Sequence, residues 1–309
     1  MNRKHILVIK LSALGDFVQA TGPFKAIRTF HKDAFITLLT TKPYAELANA
    51  SGYFDRIWID DRPRIWDVPR VLRLRRLLRS TSFDRVYDLQ TSDRTGFYFQ
   101  AMGRPVWSGV ATGCALPHDN PDRNKMHTVE RQAEQLRMAG IPDTPPPDVS
   151  WLKSDLSRFD LPEKYVILIP GGAPHRPIKR WPAPHFAEIA RRARALGVSS
   201  VLVGTKADVE PIQEIVKRAP FVRSLVDQTD FADIAELGRG GAGAVSNDTG
   251  PAHLIVAAGC PTVVLFSRDS NPDRCAPRGR TAILKKDDLG ELSPDEVWDA
   301  LHSPRLRSS

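Results

Sequence analysis

Cysteine is scarce in this chain. Its 309 residues include three cysteines, Cys114, Cys260 and Cys275, which stand far apart and form no C-x-x-C pair. This spacing indicates neither a disulfide framework nor a thiolate zinc site. The composition fits a reducing compartment.

Long apolar runs are also missing. The longest, residues 254–266, is interrupted by Gly259 and Pro261 and is shorter than the roughly 20 residues that a transmembrane helix needs. The first residues lead directly into a short apolar run, which is too short for the core of a signal peptide. We therefore expect a cytoplasmic protein.

The sequence lacks the common motifs of nucleotide-binding and nucleic-acid-binding proteins. The first apolar run is not followed by G-x-G-x-x-G, and the glycine turn at residues 170–173 matches neither that spacing nor a Walker pattern. No zinc-finger, RNA-recognition or helix-turn-helix signature was identified. These gaps argue against a nicotinamide-dependent oxidoreductase and against a nucleic-acid binder.

What is present is a regular alternation of strand-like and helix-like segments. This alternation predicts parallel sheets covered by helices on both faces. The predicted strands are residues 5–10, 34–39, 56–59, 85–89, 165–169, 200–203, 242–246 and 262–266. The predicted helices include residues 17–30, bent by Pro23, and residues 45–50, 68–78, 186–196 and 209–216.

The alternation pauses at residues 142–147, a segment that contains three consecutive prolines. Since a single core stops growing at roughly 250–300 residues, the chain is long enough for two domains. We predict an α/β protein with two Rossmann-like domains, residues 1–150 and 151–309, whose parallel sheets face a central cleft.

The most informative motif is the segment 245–253, where an apolar strand ends in Asn-Asp-Thr-Gly-Pro. Pro251 suits the first turn of a helix, and the free N–H groups of that turn attract anions. Gly250 lets a phosphate approach the backbone, Asp248 and Thr249 can cap the helix, and His253 falls in its first turn. A simple helix cap would also explain the motif.

A glycine turn, Gly171-Gly172-Ala173, follows another predicted strand, and Lys179 lies a few residues later. Open α/β sheets bind ligands at the carboxyl ends of their strands, and a lysine supplies a point charge for a phosphate. An ordinary basic surface loop is the alternative.

Acidic residues follow several other predicted strands. Asp16 comes after Gly15 in the loop at residues 11–16, where it would repel a diphosphate but could deprotonate an acceptor hydroxyl; helix capping is the alternative. Asp208 is placed to accept hydrogen bonds from ribose hydroxyls. Asp88 and Asp93 flank the end of another strand, and each acid taken singly is also explained by a structural role.

The charge balance is basic, with 44 basic and 36 acidic residues, a net charge of +8. Such a balance favours anionic partners: phosphates, nucleic acid or an acidic membrane surface. Arginines are concentrated in one stretch, which predicts a basic amphipathic helix with loop arginines before it. These are Arg62, Arg64, Arg70, Arg73, Arg75, Arg76 and Arg79.

Taken together, the blocks resemble glycosyltransferase family 9, the ADP-heptose:lipopolysaccharide heptosyltransferases, over nearly the whole chain. The similar blocks are residues 9–16, 88–90, 127–131, 171–182 and 246–254. The resemblance implies a GT-B fold and an inverting transfer that needs no metal and no cofactor. Asp208 departs from the family pattern, which more usually has glutamate there.

The resemblance also implies roles for individual residues. Asp16 would be the catalytic base, and the acidic, lipid-linked saccharide acceptor would bind near Arg62 and Arg64. The donor, ADP-heptose or a related nucleotide sugar, would be held by a larger set. These donor-binding residues are Gly15, Gly171, Gly172, Lys179, Asp208, Asp248, Thr249, Gly250 and His253. We expect peripheral contact with the inner membrane surface. We do not expect a nucleic acid partner.

Three alternatives stay open at this stage. The chain could be a family-9 transferase with another nucleotide sugar or acceptor, or a related protein that binds a nucleotide sugar but has lost transfer. It could instead be a nicotinamide-dependent oxidoreductase. A non-catalytic protein that binds anions or nucleic acid is the third, suggested by the pI of about 9.5.

Overall fold

A computed structural model describes residues 3–172 and 176–307. The chain divides into two compact units, Met1–Pro147 and Asp148–Ser309. The strands of the first unit are β1 (His5–Ile9), β2 (Phe35–Thr40), β3 (Arg56–Ile59), β4 (Arg85–Asp88), β5 (Trp107–Gly109) and β6 (Leu116–Pro117). Its helices are α1 (Leu14–Gln19), α2 (Thr21–Phe30), α3 (Ala45–Ala50), α4 (Val68–Leu78), α5 (Asp93–Ala101) and α6 (Thr128–Met138).

The second unit repeats this plan. Its strands are β7 (Tyr165–Ile169), β8 (Ser199–Leu202), β9 (Arg223–Ser224), β10 (Gly243–Asn247), β11 (Thr262–Phe266) and β12 (Thr281–Lys285). Its helices are α7 (Ala183–Ala195), α8 (Val209–Arg218), α9 (Phe231–Gly240), α10 (Gly250–Ala257), α11 (Pro272–Cys275), α12 (Pro294–His302) and α13 (Pro304–Arg307).

Each unit contains one six-stranded parallel sheet with the same strand order. The order is β3-β2-β1-β4-β5-β6 in the first unit and β9-β8-β7-β10-β11-β12 in the second. The order reverses between β1 and β4, and again between β7 and β10. In doubly wound sheets, ligands bind outside the carboxyl ends of the strands at this reversal.

The central strands are apolar because helices cover both faces of each sheet. All five residues of β7 and all five of β10 are buried, as expected for interior parallel strands. The register pairs Ala244 with Ile167 and Ser246 with Ile169. Strands β7 and β10 therefore end side by side, and the turns that follow them are neighbours.

Several predicted elements agree with the structure residue for residue, among them residues 45–50, 56–59, 68–78, 165–169 and 262–266. The prediction for residues 17–30 was wrong in detail, because two helices meet at Ala20. Pro23 has no N–H to donate to the carbonyl of Gln19, so a continuous helix would lose that bond.

The loop predicted at residues 11–16 was also too long. Helix α1 already begins at Leu14, and Asp16 therefore lies in its first turn rather than in the loop. Within the described ranges, no helix is long and apolar enough to cross a membrane.

Candidate functional site

The turn after β10 lies where the strand order of the second sheet reverses. Strand β10 ends at Asn247, and Thr249 is the N-cap of α10, which begins at Gly250. The Thr249 side chain makes no capping hydrogen bond. Pro251 has no N–H, and the N–H of Ala252 donates to the carbonyl of Thr249 at 3.1 Å, so the N–H of Gly250 is the group that this turn offers to an anion, and the helix dipole favours negative charge there.

Lys179 lies beside this turn. Its Nζ donates to Oδ2 of Asp248 at 2.6 Å, and both side chains are only 12% exposed. The hydroxyl of Ser270 donates to the same oxygen, also at 2.6 Å. Asp248 is thus neutralised by a cation and a hydroxyl, so it does not repel an anion as an isolated carboxylate would.

Asn247 joins this turn to the glycine turn after β7. Its side-chain oxygen accepts from the backbone N–H of Trp181 at 3.0 Å. Its amide nitrogen donates to the carbonyls of Pro170 and Gly171 at 2.8 and 3.2 Å. Asn247 is fully buried, and it fixes three chain segments at the carboxyl ends of β7 and β10. The sequence analysis did not assign it a site role, although it lies within the Asn-Asp-Thr-Gly motif.

Asp208 accepts hydrogen bonds from the glycine turn and from the loop after β8. Its Oδ1 accepts from the backbone N–H of Gly172 at 3.3 Å, and its Oδ2 accepts from the N–H and hydroxyl of Thr205 at 3.1 and 2.9 Å. The guanidinium of Arg180 reaches Oδ1 at 3.4 Å and the carbonyl of Gly172 at 2.8 Å. Asp208 is therefore a positioning group for this turn. Its predicted hydrogen bonds with ribose hydroxyls stay a prediction.

Glycine is required at position 171 by this arrangement. A Cβ there would lie 2.7 Å from Cγ of Asp208 and 2.8 Å from both carboxylate oxygens. Real Cβ atoms do not approach other heavy atoms so closely, and the carboxylate is held by its own hydrogen bonds. The neighbouring Ala173, which belonged to the predicted motif, lies outside the described residues.

His253 lies within α10, one turn after Thr249, and is 8% exposed. The second unit therefore brings together Gly171, Gly172, Lys179 and Asp208 with the α10 turn. Gly15 is not among them, because it is buried in α1 of the first unit. Its donor-binding role stays a prediction.

Asp16 lies at the carboxyl end of β1, where the strand order of the first sheet reverses. Its Oδ2 accepts from the backbone N–H of Ala13 at 3.2 Å, and the side chain is partly buried. The preceding backbone is fixed by Gln90, whose side-chain oxygen accepts from the N–H groups of Leu11 and Ser12 at 2.9 and 3.2 Å. A carboxylate with one local hydrogen bond keeps lone pairs for a substrate proton.

Lys10 and Asp88 are two buried ionisable groups of the first unit, and the charge of Asp16 acts on Lys10. Lys10 donates from Nζ to the carbonyl of Leu89 at 3.1 Å, and burial lowers its pKa, opposed by the charges of Asp16 and Asp88. Burial raises the pKa of Asp88 to about 6, although the backbone N–H groups of Thr91 and Gln90 and the charge of Lys10 act in the opposite direction.

Arg123 is a neighbour of this group that the sequence analysis missed. It donates to Nδ1 of His118 at 3.1 Å and to the hydroxyl of Thr91 at 2.7 Å. Burial and the nearby Arg131 lower its pKa to about 10, while Asp88 raises it. The block at residues 127–131 pointed to this region, but no local pattern marked Arg123.

The two predicted acceptor arginines differ in their surroundings. The guanidinium of Arg62 donates to the hydroxyl of Ser12 at 3.3 Å, and Arg62 lines a pocket of about 400 Å³ that also includes Tyr44. Burial and the charge of Asp16 raise the pKa of Tyr44, and Arg62 lowers it. Tyr44 and Arg62 therefore line one pocket, and the charge of Asp16 acts on Tyr44, whereas Arg64 lies over the exposed ring of Trp66, 5.4 Å from its centroid.

Asp93, in contrast, is exposed at the first position of α5. It does not join Asp88 in the buried group, since Asp88 is 1% exposed. Among the described residues, no group of three or more histidine, cysteine, aspartate or glutamate side chains is arranged to hold a metal ion.

Comparison with known proteins gives consistent matches. A family model described as glycosyltransferase family 9 (heptosyltransferase) matches residues 71–291. Lipopolysaccharide heptosyltransferase 2 of Salmonella typhimurium is 29% identical, and the match covers 96% of this chain and 97% of that protein. The Escherichia coli protein of the same name is 24% identical, with 90% and 86% covered.

Solved structures match in fold. A glycosyl transferase family 9 structure from Veillonella parvula superposes with a TM-score of 0.86 at 21% identity, covering 99% of this chain and 98% of that one. The structure of E. coli ADP-heptose lps heptosyltransferase II gives a TM-score of 0.80 at 21% identity, with 98% and 99% covered. The predicted α/β fold class with two Rossmann-like domains, GT-B, is confirmed.

Proposed function

Because the chain belongs to glycosyltransferase family 9, and is accordingly a glycosyltransferase, we propose that it transfers a heptose from ADP-heptose to an inner-core acceptor of lipopolysaccharide. The transfer inverts the anomeric configuration and uses no metal ion. The observation that carries the donor half is the Lys179–Asp248 pair beside the start of α10. The names of the relatives, lipopolysaccharide heptosyltransferases, support the choice of sugar and acceptor.

The donor diphosphate occupies the turn after β10 in this proposal. Negative charge grows on the leaving nucleoside diphosphate as the glycosidic bond breaks. The ammonium of Lys179, the N–H groups of Thr249 and Gly250, and the dipole of α10 stabilise that charge. These fixed positive groups take the place that a metal ion has in other transferases.

Other residues of the second unit position these groups. Asn247 holds the turns after β7 and β10 together. Asp208 accepts a hydrogen bond from the N–H of Gly172 and so fixes the glycine turn. In this proposal its carboxylate also accepts hydrogen bonds from the donor nucleoside. His253, in α10, completes the donor set.

Asp16 is the base in this proposal. Its carboxylate takes a proton from an acceptor hydroxyl while the oxygen of that hydroxyl attacks the anomeric carbon. Proton transfer by a positioned side chain contributes roughly 10²- to 10⁴-fold to a rate. The hydrogen bond from Ala13 orients the carboxylate, and the buried charge of Lys10 lies close enough to interact with it.

The acceptor is acidic and lipid-linked in this proposal, and it binds in the first unit. Arg62 supports this assignment, because it lines a pocket next to the loop that precedes Asp16. Arg64 contributes through the exposed surface around Trp66. An enzyme with these substrates works in the cytoplasm, peripherally at the inner face of the membrane.

Calorimetric titration of the whole protein with ADP, UDP, GDP and NAD, in metal-free buffer, tests the donor assignment. We expect ADP to bind preferentially and the binding to be lost in His253→Ala. Preference for UDP or GDP would contradict ADP-heptose as donor, and binding of NAD alone would contradict the donor site.

Transfer itself is tested with ADP-heptose and a lipopolysaccharide inner-core acceptor in the presence of a chelator. The product anomer, read by NMR, should be inverted relative to the donor. Activity that depends on added divalent metal, or a retained configuration, would overturn that part of the proposal. ADP binding without any transfer would indicate a protein that has lost catalysis.

A further inference from the structure

The surface formed by α4, α5 and the loop before α4 is unusual for its exposed apolar side chains. We call it the α4 surface. Five large apolar side chains are exposed on it. They are Ile65 (85% exposed), Trp66 (71%), Val68 (56%), Leu72 (50%) and Phe97 (57%). Exposed apolar side chains grouped in this way mark interaction sites.

Positive charge is concentrated on the same surface. Residues 62–79 contain seven arginines and one acid, Asp67, and all seven arginines are exposed. Asp67 caps α4 and pairs with Arg70 at 3.4 Å. The segment therefore carries a net charge of +6, most of the +8 of the whole chain.

Helical spacing places apolar and basic groups on one face. Val68 and Leu72 are four residues apart in α4, and Arg75 and Arg76 follow one turn later. Side chains at this spacing lie next to each other along a helix. Leu74 and Leu78 face the interior instead and are buried, whereas Val68 and Leu72 on the outward face of α4 are exposed among the described residues.

An apolar cavity of about 450 Å³ lies between α4 and α5. Apolar side chains make up most of its lining, among them Leu74, Leu78, Phe97 and Ile65, and the charged residues in the lining are Arg75, Asp93 and Arg94. Its size is in the range of pockets that hold ligands.

Hydrogen bonds help to hold the loop before α4 in place. The hydroxyl of Tyr98 donates to Asp60 at 2.5 Å. Arg94 donates to the Tyr98 hydroxyl at 3.2 Å and to the carbonyl of Pro63 at 3.3 Å. Ile65 and Trp66 thus project from a supported loop.

We infer that the α4 surface docks on a lipid bilayer that contains anionic headgroups. The arginines meet the headgroups, the exposed apolar side chains enter the interface, and an acyl chain occupies the cavity. Charge complementarity favours a bilayer as the partner, because the arginines are opposite in charge to anionic headgroups. Arginines interleaved with tryptophan, phenylalanine and leucine are also typical of surfaces that lie in a membrane interface. The inference deepens the proposed function, which has the acceptor lipid-linked.

Vesicle co-sedimentation of the whole protein, without nucleotide, tests the charge requirement. We expect binding to vesicles of phosphatidylcholine with phosphatidylglycerol and much weaker binding to phosphatidylcholine alone. Each arginine near an anionic surface contributes about fivefold in affinity. The double variant Arg75→Gln/Arg76→Gln should therefore bind more than tenfold more weakly.

Matched controls separate this surface from the overall charge. Arg191→Gln/Arg218→Gln removes two exposed arginines of the second unit and should change vesicle affinity less than threefold. Equal loss in both double variants would overturn the inference, as would absence of vesicle binding by the wild type.

The apolar contact is read by fluorescence quenching with brominated phosphatidylcholine in anionic vesicles. The wild type should be quenched, and Trp66→Phe should lose most of the quenching. The variant Leu72→Ser/Phe97→Ser should bind at least severalfold more weakly, whereas Leu196→Ser, which removes a leucine that is 64% exposed in the second unit, should not.

Duplex DNA provides the competing outcome. Binding to DNA as tight as to anionic vesicles, without quenching by brominated lipid, would overturn the inference in favour of a nucleic-acid surface. The titration with ADP is separate. A protein that binds vesicles but not ADP would refute the donor proposal and leave membrane docking standing, and the reverse result would do the opposite.

Discussion

Replacing Lys179 with methionine removes the positive charge beside α10 while keeping an apolar stem of similar length. In the wild type, Lys179 and Asp248 lie 2.6 Å apart and are 12% exposed, so solvent screens their interactions less than those of a surface pair. In the proposed donor site, the substitution removes a charged hydrogen-bond donor to the diphosphate. It also leaves the charge of Asp248 without the neutralising ammonium in the proposed diphosphate site. Of the two hydrogen bonds to Oδ2 of Asp248, the one from Ser270 remains.

The magnitude follows from these two effects. Loss of a hydrogen bond to a charged group costs roughly 1.5–3 kcal/mol, which corresponds to a roughly tenfold to hundredfold higher Kd for ADP. The uncovered carboxylate adds to the loss. We therefore expect Lys179→Met to weaken ADP binding at least tenfold. The free energy of unfolding should fall by about 2 kcal/mol, below the 3–5 kcal/mol of fully buried pairs, because the site keeps some exposure.

A double-variant cycle, measured by calorimetry with ADP, separates the two effects. Lys179→Met/Asp248→Asn removes the uncovered charge and should bind ADP more tightly than Lys179→Met alone. Lys217→Met, which removes an exposed lysine in α8 of the same unit, is the control and should bind ADP as the wild type does. A Kd for Lys179→Met within threefold of the wild-type value would refute the donor site. A double variant no better than the single one would refute the claim that Lys179 neutralises Asp248.

Three further predictions concern the base, the glycine turn and a buried acid. Asp16→Asn should lower the rate of transfer by about 10²-fold or more, and calorimetry should show an unchanged affinity for ADP. Turnover at the wild-type rate would exclude Asp16 as the base. Gly171→Ala should lower the Tm by roughly 5 °C and weaken ADP binding, because the new Cβ meets Asp208, whereas Gly96→Ala, with no atom within 4 Å, should not lower it. Since the pKa of Asp88 is about 6 in the folded protein and 3.8 is the ordinary value, folding favours its protonated form. Asp88 therefore costs stability progressively as pH rises from about 4 to 6. In thermal melts the wild type should lose more Tm over this range than Asp88→Asn; parallel curves would contradict the assignment.

The alternation of strands and helices was predictable where apolar residues carry the pattern. Strands β3, β7 and β11 and helices α3 and α4 agree with the sequence prediction at both ends. Each is either a short apolar run or a segment with apolar residues at helical spacing, and both patterns follow directly from burial.

Helix α6 shows why other elements were missed. Its buried residues are Thr128, Gln132, Gln135 and Leu136, so its inner face is largely polar and has no apolar period. The amide of Gln135 donates to the carbonyl of Asp88 at 2.9 Å, and such hydrogen bonds replace apolar packing. A hydrophobicity pattern does not detect a face of this kind.

The site was predictable in its motifs but not in its pairings. The glycines after β7 and the turn after β10 stand out in the sequence because each follows an apolar strand. The contact between Lys179 and Asp248 joins residues 69 apart in the chain, and the hydrogen bond from Gly172 to Asp208 joins residues 36 apart. Only the strand order β7-β10 and β7-β8 brings these segments together.

The two sheets share one strand order, and therefore each offers the same crevice at the carboxyl ends of its central strands. The residues at these crevices nevertheless differ in charge. In the first unit the crevice contains Asp16 and Asp88, and the charges of both act on the buried Lys10. In the second it contains Lys179 and the start of α10, and Asp248 there is already neutralised. The second arrangement offers a lysine and the start of a helix to a nucleoside diphosphate, whereas the first offers a partly buried carboxylate to a hydroxyl that must lose a proton. In the proposed function the same fold thus performs two different tasks, and the proposal places the donor in the second unit and the base in the first because of charge rather than topology.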